Sequence, residues 1–122
     1  MTTQEVANRY YELMLEDKRE QILDGLYSQD IVCKEPEHTI AMGIPTLTEG
    51  LDAVKAKAKA RNEMIAEIHG DSCSEPIIAG NFFSVVLGRD ITLKGKPRMN
   101  LQEIGVFEVK KGGKIVLEQF FY

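Results

Sequence analysis

The sequence has only two cysteines, Cys33 and Cys73, and they form no Cys-x-x-Cys pair. Two are too few for a disulfide framework or a four-ligand zinc site. Free thiols in a reducing cytoplasm are the reading that fits. Long apolar runs are missing too: no stretch approaches the ~20 residues that a membrane-spanning helix needs. Met1 to Val6 has no basic region followed by an apolar one, so it does not read as a secretory signal. Positive charge is scarce, with fifteen Lys and Arg against nineteen Asp and Glu and a formal net charge of −4. Nucleic acid and anionic membranes need a concentrated positive surface, so neither is expected as a partner. No P-loop or Gly-x-Gly-x-x-Gly is present, which argues against a nucleotide, and no cofactor is expected. Gly-x-Ser-x-Gly and a Ser-His-Asp set are absent as well. Glu35, Glu37 and His38 lie close together, but Pro36 disturbs their spacing and His69 is far away in sequence; no metal is expected.

What is present suits one domain spanning residues 1–122, with a 43% hydrophobic content that can bury a core. Val6, Tyr10, Leu13 and Met14 make one helical stripe, with Thr2 or Thr3 as N-cap. The polar patch Glu16 to Glu20 breaks it, and Ile22, Leu23, Leu26 and Tyr27 restart it as a second helix. Ile31, Val32 and Cys33 form a brief β-type run before Pro36, and predict a short or edge strand. Residues 36–50 hold two prolines and two glycines and read as a loop. A third helix follows over Leu51 to Asn62, where Ala, Lys and Arg favour helix despite an alternation of period two. Its lysines read as solvated.

Everything after Met64 reads as strand: Ile65 to Ser74, Phe82 to Leu93, Leu101 to Lys110 and Ile115 to Tyr122. Lys94-Gly95-Lys96 and Lys111-Gly112-Gly113-Lys114 are turns. Helices first and an antiparallel meander after them mean α+β.

Several segments in this order resemble the bacterial ketosteroid isomerases. Arg9-Tyr10 is similar to their Arg-Tyr pair. Leu26-Tyr27-Ser28-Gln29-Asp30 resembles the Leu-Phe-Ala-Asp-Asp that leads into their first strand, and Lys34-Glu35-Pro36 their Glu-Asp-Pro. Gly50-Leu51-Asp52-Ala53-Val54 resembles their Gly-x-x-Ala-Ile, and Phe107 through Val116 their paired C-terminal strands. The same set recurs in the SnoaL-like polyketide cyclases. The resemblance is to the nuclear-transport-factor-2-like (NTF2-like) superfamily, in its SnoaL-like and ketosteroid-isomerase-like branch. It implies three N-terminal helices packed on a strongly curved antiparallel sheet, a cone with a pocket for a small, largely apolar molecule.

The resemblance also implies roles. Glu35 stands where the isomerases carry their general base, and a carboxylate whose pKa is raised by partial burial can take a proton α to a carbonyl. Tyr10 matches the tyrosine that donates a hydrogen bond to the developing enolate oxygen. The third isomerase residue, a protonated acid, maps onto Gly105, which has no side chain to offer. Glu103, two residues earlier on the same strand face, and Asp90, among apolar strand residues, are the substitutes the sequence provides. The expected function is an acid/base isomerase, cyclase or dehydratase on a carbonyl compound. The alternative is a non-catalytic ligand-binding or dimerisation module of the same fold. Apolar residues at both parities, as in Val85-Val86-Leu87 and Val106-Phe107, leave a second sheet face that three helices cannot cover, and predict a homodimer.

Overall fold

The computed structural model describes residues 1–110 and 112–122. Helix α1 (Thr3–Leu15) opens on a capping box. The Thr2 hydroxyl accepts from the Glu5 N–H at 3.1 Å, and the Glu5 carboxylate accepts from the Thr2 N–H at 2.9 Å. Val6, Ala7, Tyr10 and Leu13 form its buried stripe. Helix α2 (Arg19–Gly25) is shorter than the apolar pattern suggests. Leu26 caps it and Tyr27 already begins strand β1 (Tyr27–Lys34).

The expectation of a short or edge strand before Pro36 fails. β1 runs for eight residues and lies inside the sheet, antiparallel to β2 (Leu47–Glu49) and parallel to β7 (Lys114–Phe121). Pro36 falls beyond its last residue, so the missing N–H interrupts no ladder. Residues 36–50 are also more than a loop: they hold a short 3-10 helix, Glu37–Met42, and β2, which supplies the true edge. Helix α3 (Leu51–Glu63) packs on β1 through Leu51 and Val54.

The remaining strands are β3 (Ile65–Cys73), β4 (Ile77–Ala79), β5 (Phe82–Leu93) and β6 (Arg98–Lys110). Their order is β2-β1-β7-β6-β5-β3, with β4 paired to β5. The β6–β7 hairpin turns through Gly112 and Gly113, with φ of 98° and 78°, a region glycine enters without strain. Lys111, part of the expected turn, lies outside the described residues.

The sheet is open and curled, with the helices on its concave face. Irregular register marks where it bends. Val109 faces Ile115 while Glu108 faces Leu117, which leaves Val116 as an extra residue in β7. Further shifts lie between Ile65 and Glu67 and between Ile68 and Gly70. One buried row crosses the concave face: Phe83 on β5, Phe107 on β6, Glu118 on β7, Cys33 on β1 and Thr48 on β2. Phe83 and Phe107 stack at 4.7 Å, and Tyr10 tilts onto them at 5.6 and 4.8 Å. Among the described residues, no helix is long and apolar enough to cross a membrane.

Candidate functional site

Between α1, α2, α3 and the concave face lies a cavity of about 600 Å³. Met14, Ile22, Leu23, Val54, Leu87 and Phe120 give it apolar walls. Tyr10, Glu35 and Glu103 line it together, and so does Glu118. Asp90 is elsewhere. Both its oxygens are held by Arg98, at 2.9 and 2.7 Å, and this pairing holds its carboxyl below the usual range. Asp90 therefore has no place in the cavity.

Glu35 follows β1, and its side chain is wholly inaccessible to solvent (0%). Its surroundings are charged and polar. Lys57 Nζ donates to Oε1 at 3.2 Å, and Tyr122 Oη donates to Oε2 at 2.9 Å. An Arg61 nitrogen stands 3.7 Å from Oε1. His38 braces Tyr122, its ring edge-on at 5.4 Å and its Nε2 2.6 Å from the Tyr122 carbonyl oxygen. Desolvation pushes the Tyr122 hydroxyl up, and Glu35 adds to this, so the phenol stays a donor.

Glu118 sits deeper, among mostly neutral groups. The Tyr27 hydroxyl donates to its Oε2, and the Cys33 thiol lies beside it. Burial pushes the Glu118 carboxyl above the ordinary carboxylate value. The same burial, with Glu118 adding to it, holds the Tyr27 hydroxyl well up. The Cys33 thiol is pushed up to about 12 by desolvation first and Glu118 second, so it is no thiolate nucleophile at neutral pH. Lys57 bridges Glu35 and Cys33, donating to Cys33 Sγ at 2.8 Å as well as to Glu35. Burial opposes the Lys57 charge, but Cys33 and Glu35 more than offset it.

Burial pushes two more groups up. Tyr10 is pushed well up by desolvation, then by Glu118. Glu103 is raised by desolvation, with Arg61 pulling the other way. Among the described residues, no group of three His, Cys, Asp or Glu side chains is placed to hold a metal ion.

The SnoaL-like domain family matches residues 1–122. The chain belongs to that family. A candidate SnoaL-like polyketide cyclase from Mesorhizobium loti shares 28% identity, with all of both chains covered and a TM-score of 0.90. Two more distant structures share the fold. TerC, co-crystallised with polyporic acid, is 18% identical (TM-score 0.78; 98% of this chain and 90% of that one). A Mycobacterium tuberculosis protein in complex with estradiol-17β-hemisuccinate is 15% identical (TM-score 0.74; 100% and 95%). No curated protein matches the chain. The neighbours support placing this SnoaL-like chain in the NTF2-like superfamily.

Gly105 is where this SnoaL-like chain departs from the isomerase pattern, and packing explains it. A Cβ there would lie 2.9 Å from the Phe107 ring and 3.4 Å from Phe120. The aromatic core occupies the space an acidic side chain would need.

Several site residues are hard to read in the sequence. The lysines of α3 read there as solvated, yet only 13% of the Lys57 side chain is exposed. A signal is present, because Val54, Lys57 and Arg61 fall at i, i+3 and i+7 on the helix face that Val54 buries. Glu118 is hidden by the bulge. Alternation counted from Ile115 puts Leu117 and Gln119 inside, and the extra Val116 turns Glu118 and Phe120 inward instead.

Proposed function

We propose that the cavity binds a small, partly apolar carbonyl compound and moves a proton on it, as an isomerase, cyclase or dehydratase does. The supporting observation is the joint presence, on one cavity, of a carboxylate paired with cations and of two groups whose burial favours the neutral, donating form. Glu35, fixed by Lys57 and Tyr122, serves as base. Tyr10 and Glu103, both pushed up by burial, donate to the oxygen on which charge develops. Glu103 thereby takes over the task that Gly105 cannot perform. The ligands of the fold neighbours, polyporic acid and a steroid ester, are of a size such a cavity takes. The test is α-proton exchange in D2O, followed by NMR over a panel of cyclic ketones and β-keto esters. Exchange is expected with the native chain and should fall by about 10²–10⁴-fold in Glu35→Gln, since an amide cannot act as the base. Ligands that bind without exchange would leave a non-catalytic binding module, the reading that Gly105 favours.

We also propose a homodimer through the convex face of the sheet. Val86, Ile104 and Phe121 stand in one cross-strand row and are 45%, 48% and 49% exposed. Three adjacent strands offering apolar side chains to water is the pattern of a covered surface. Light scattering should give twice 13.7 kDa at micromolar concentration, and Ile104→Lys should give the single mass. A native chain that scatters as a monomer removes the proposal. The two thiols, both free, fit a cytoplasmic setting.

A further inference from the structure

Six cations line the cavity, Arg19, Lys55, Lys57, Lys59, Arg61 and Arg89, and six carboxylic side chains line it with them, so what sets the cations apart is how each is paired. Arg89 is paired, but Arg19 and Arg61 are only loosely matched by protein acceptors. Arg89 Nε donates to Asp71 Oδ1 at 3.1 Å, and Arg19 shares that carboxylate, 3.3 Å from Oδ2. Arg19 Nε is itself buried without a hydrogen-bond partner among the described residues, with Asp17 at 3.6 Å, beyond bonding distance. Arg61 has Glu35 only at 3.7 Å, and both oxygens of that carboxylate are already engaged by Lys57 and Tyr122. The nearby acid that could answer Arg61, Glu103, makes no ion pair among the described residues.

A buried guanidinium donor without an acceptor is costly, and what satisfies it best is a planar anion that takes two parallel N–H bonds. Beside these donors stand the apolar walls formed by Met14, Ile22, Leu23, Leu87 and Phe120. We infer that the cavity selects an amphipathic organic anion, with its carboxylate on Arg61 and Arg19 and its apolar body against those walls. This rests on the reading of the cavity as a small-molecule site. It adds the charge of the ligand and the residues that recognise it. Neutral ketones of equal size are then poorer ligands than acids that carry the same skeleton.

The experiment is calorimetric titration at pH 7 and low salt with three matched pairs: benzoate and benzamide, 2-naphthoate and 2-naphthamide, decanoate and decanamide. At least one carboxylate is expected to bind ten-fold or more tightly than its amide. Arg61→Gln should remove that preference while leaving amide affinity unchanged. Its thermal melt should stay cooperative and close to the native one, because Lys57 and Tyr122 still hold Glu35 at hydrogen-bond distance. Arg19→Gln should weaken the carboxylate in the same selective way. Equal affinities within every pair overturn the anion site and leave the small-molecule cavity standing. The anion site is overturned in the same way if Arg61→Gln and Arg19→Gln each weaken both members equally. No binding by any of the six compounds at millimolar concentration overturns both readings.

Discussion

The concave face of the sheet has two halves built on one continuous row of residues. On β5 and β6 the row is Phe83 and Phe107, stacked face to face and capped by Tyr10. On β7 and β1 it continues as Glu118 and Cys33, beneath Lys57 and beside Glu35. Burial is equally complete in both, yet the physical consequences are opposite. Aromatic burial stabilises roughly in proportion to area, and ring stacking adds to it. Buried carboxylates and an ammonium lose their hydration, and their mutual attraction does little more than offset that loss. A chain of 122 residues has little stability to spare. That one half of its core nevertheless buries polar and ionisable groups is the feature on which the proposed function rests, while the other half holds the fold.

The sharpest way to break this contrast is to remove Phe107, which is fully buried and touches Tyr10, Phe83 and Phe120. Phe107→Ala should lose about 3–5 kcal/mol, by the usual cost of emptying a core aromatic site. The loss should be the same at pH 5 and pH 8, since no titrating group is removed. Urea denaturation reads this directly, and a loss below about 1 kcal/mol would show that the aromatic half does not carry the fold.

The charged half should respond in a more conditional way. Lys57→Met strips Glu35 of its nearest cation and keeps the aliphatic stem. Arg61 and Tyr122 remain, so the cost should be on the order of 2 kcal/mol, below the 3–5 of a buried pair broken outright. Adding Glu35→Gln should restore part of that loss, because the carboxylate then no longer needs a partner. Additive losses in the double variant would mean that the two side chains do not interact.

The same division explains how much the sequence discloses. Elements of the stabilising half follow simple periodicity: the stripe of Val6, Tyr10 and Leu13, and the strands through Phe83 and Phe107, can be read directly. Glu35, Tyr10 and Glu103 stand out through a resemblance, and the fold brings all three to one cavity. The charged half depends on departures from periodicity. Only the bulge at Val116 turns Glu118 inward, and only the packing of α3 on β1 makes Lys57 a core residue. The run Ala-Lys-Ala-Lys gives no warning of this, since composition there favours a solvated helix. β4 escapes because three residues between Pro76 and Gly80 are too few to show an alternation. Asp90 stands out for its apolar neighbours in sequence, and Arg98, on the adjacent strand, can be matched to it only once the register is known.

The smallest expected effect is also the most specific to the charged half. Burial raises the folded pKa of Glu118 above its ordinary value of 4.5. The folded chain therefore holds a proton that the unfolded chain releases. Stability from this group is fully present below pH 4.5 and is lost as pH rises through the raised folded value. Glu118→Gln keeps the shape and an acceptor for Tyr27, and removes the titration. Relative to the native chain it should be unchanged in melting temperature at pH 4 and should gain progressively as pH rises. Glu35, Glu103, Lys57 and Cys33 surround the site in both variants, so their own titrations largely cancel in the difference. Melting curves collected from pH 4 to pH 9 measure it. A difference that does not vary with pH would mean that Glu118 keeps its ordinary acidity. A variant less stable throughout would assign the larger role to the Tyr27 hydrogen bond. Either result would remove the case for a carboxyl group raised by burial, and with it the clearest distinction between the two halves of this core.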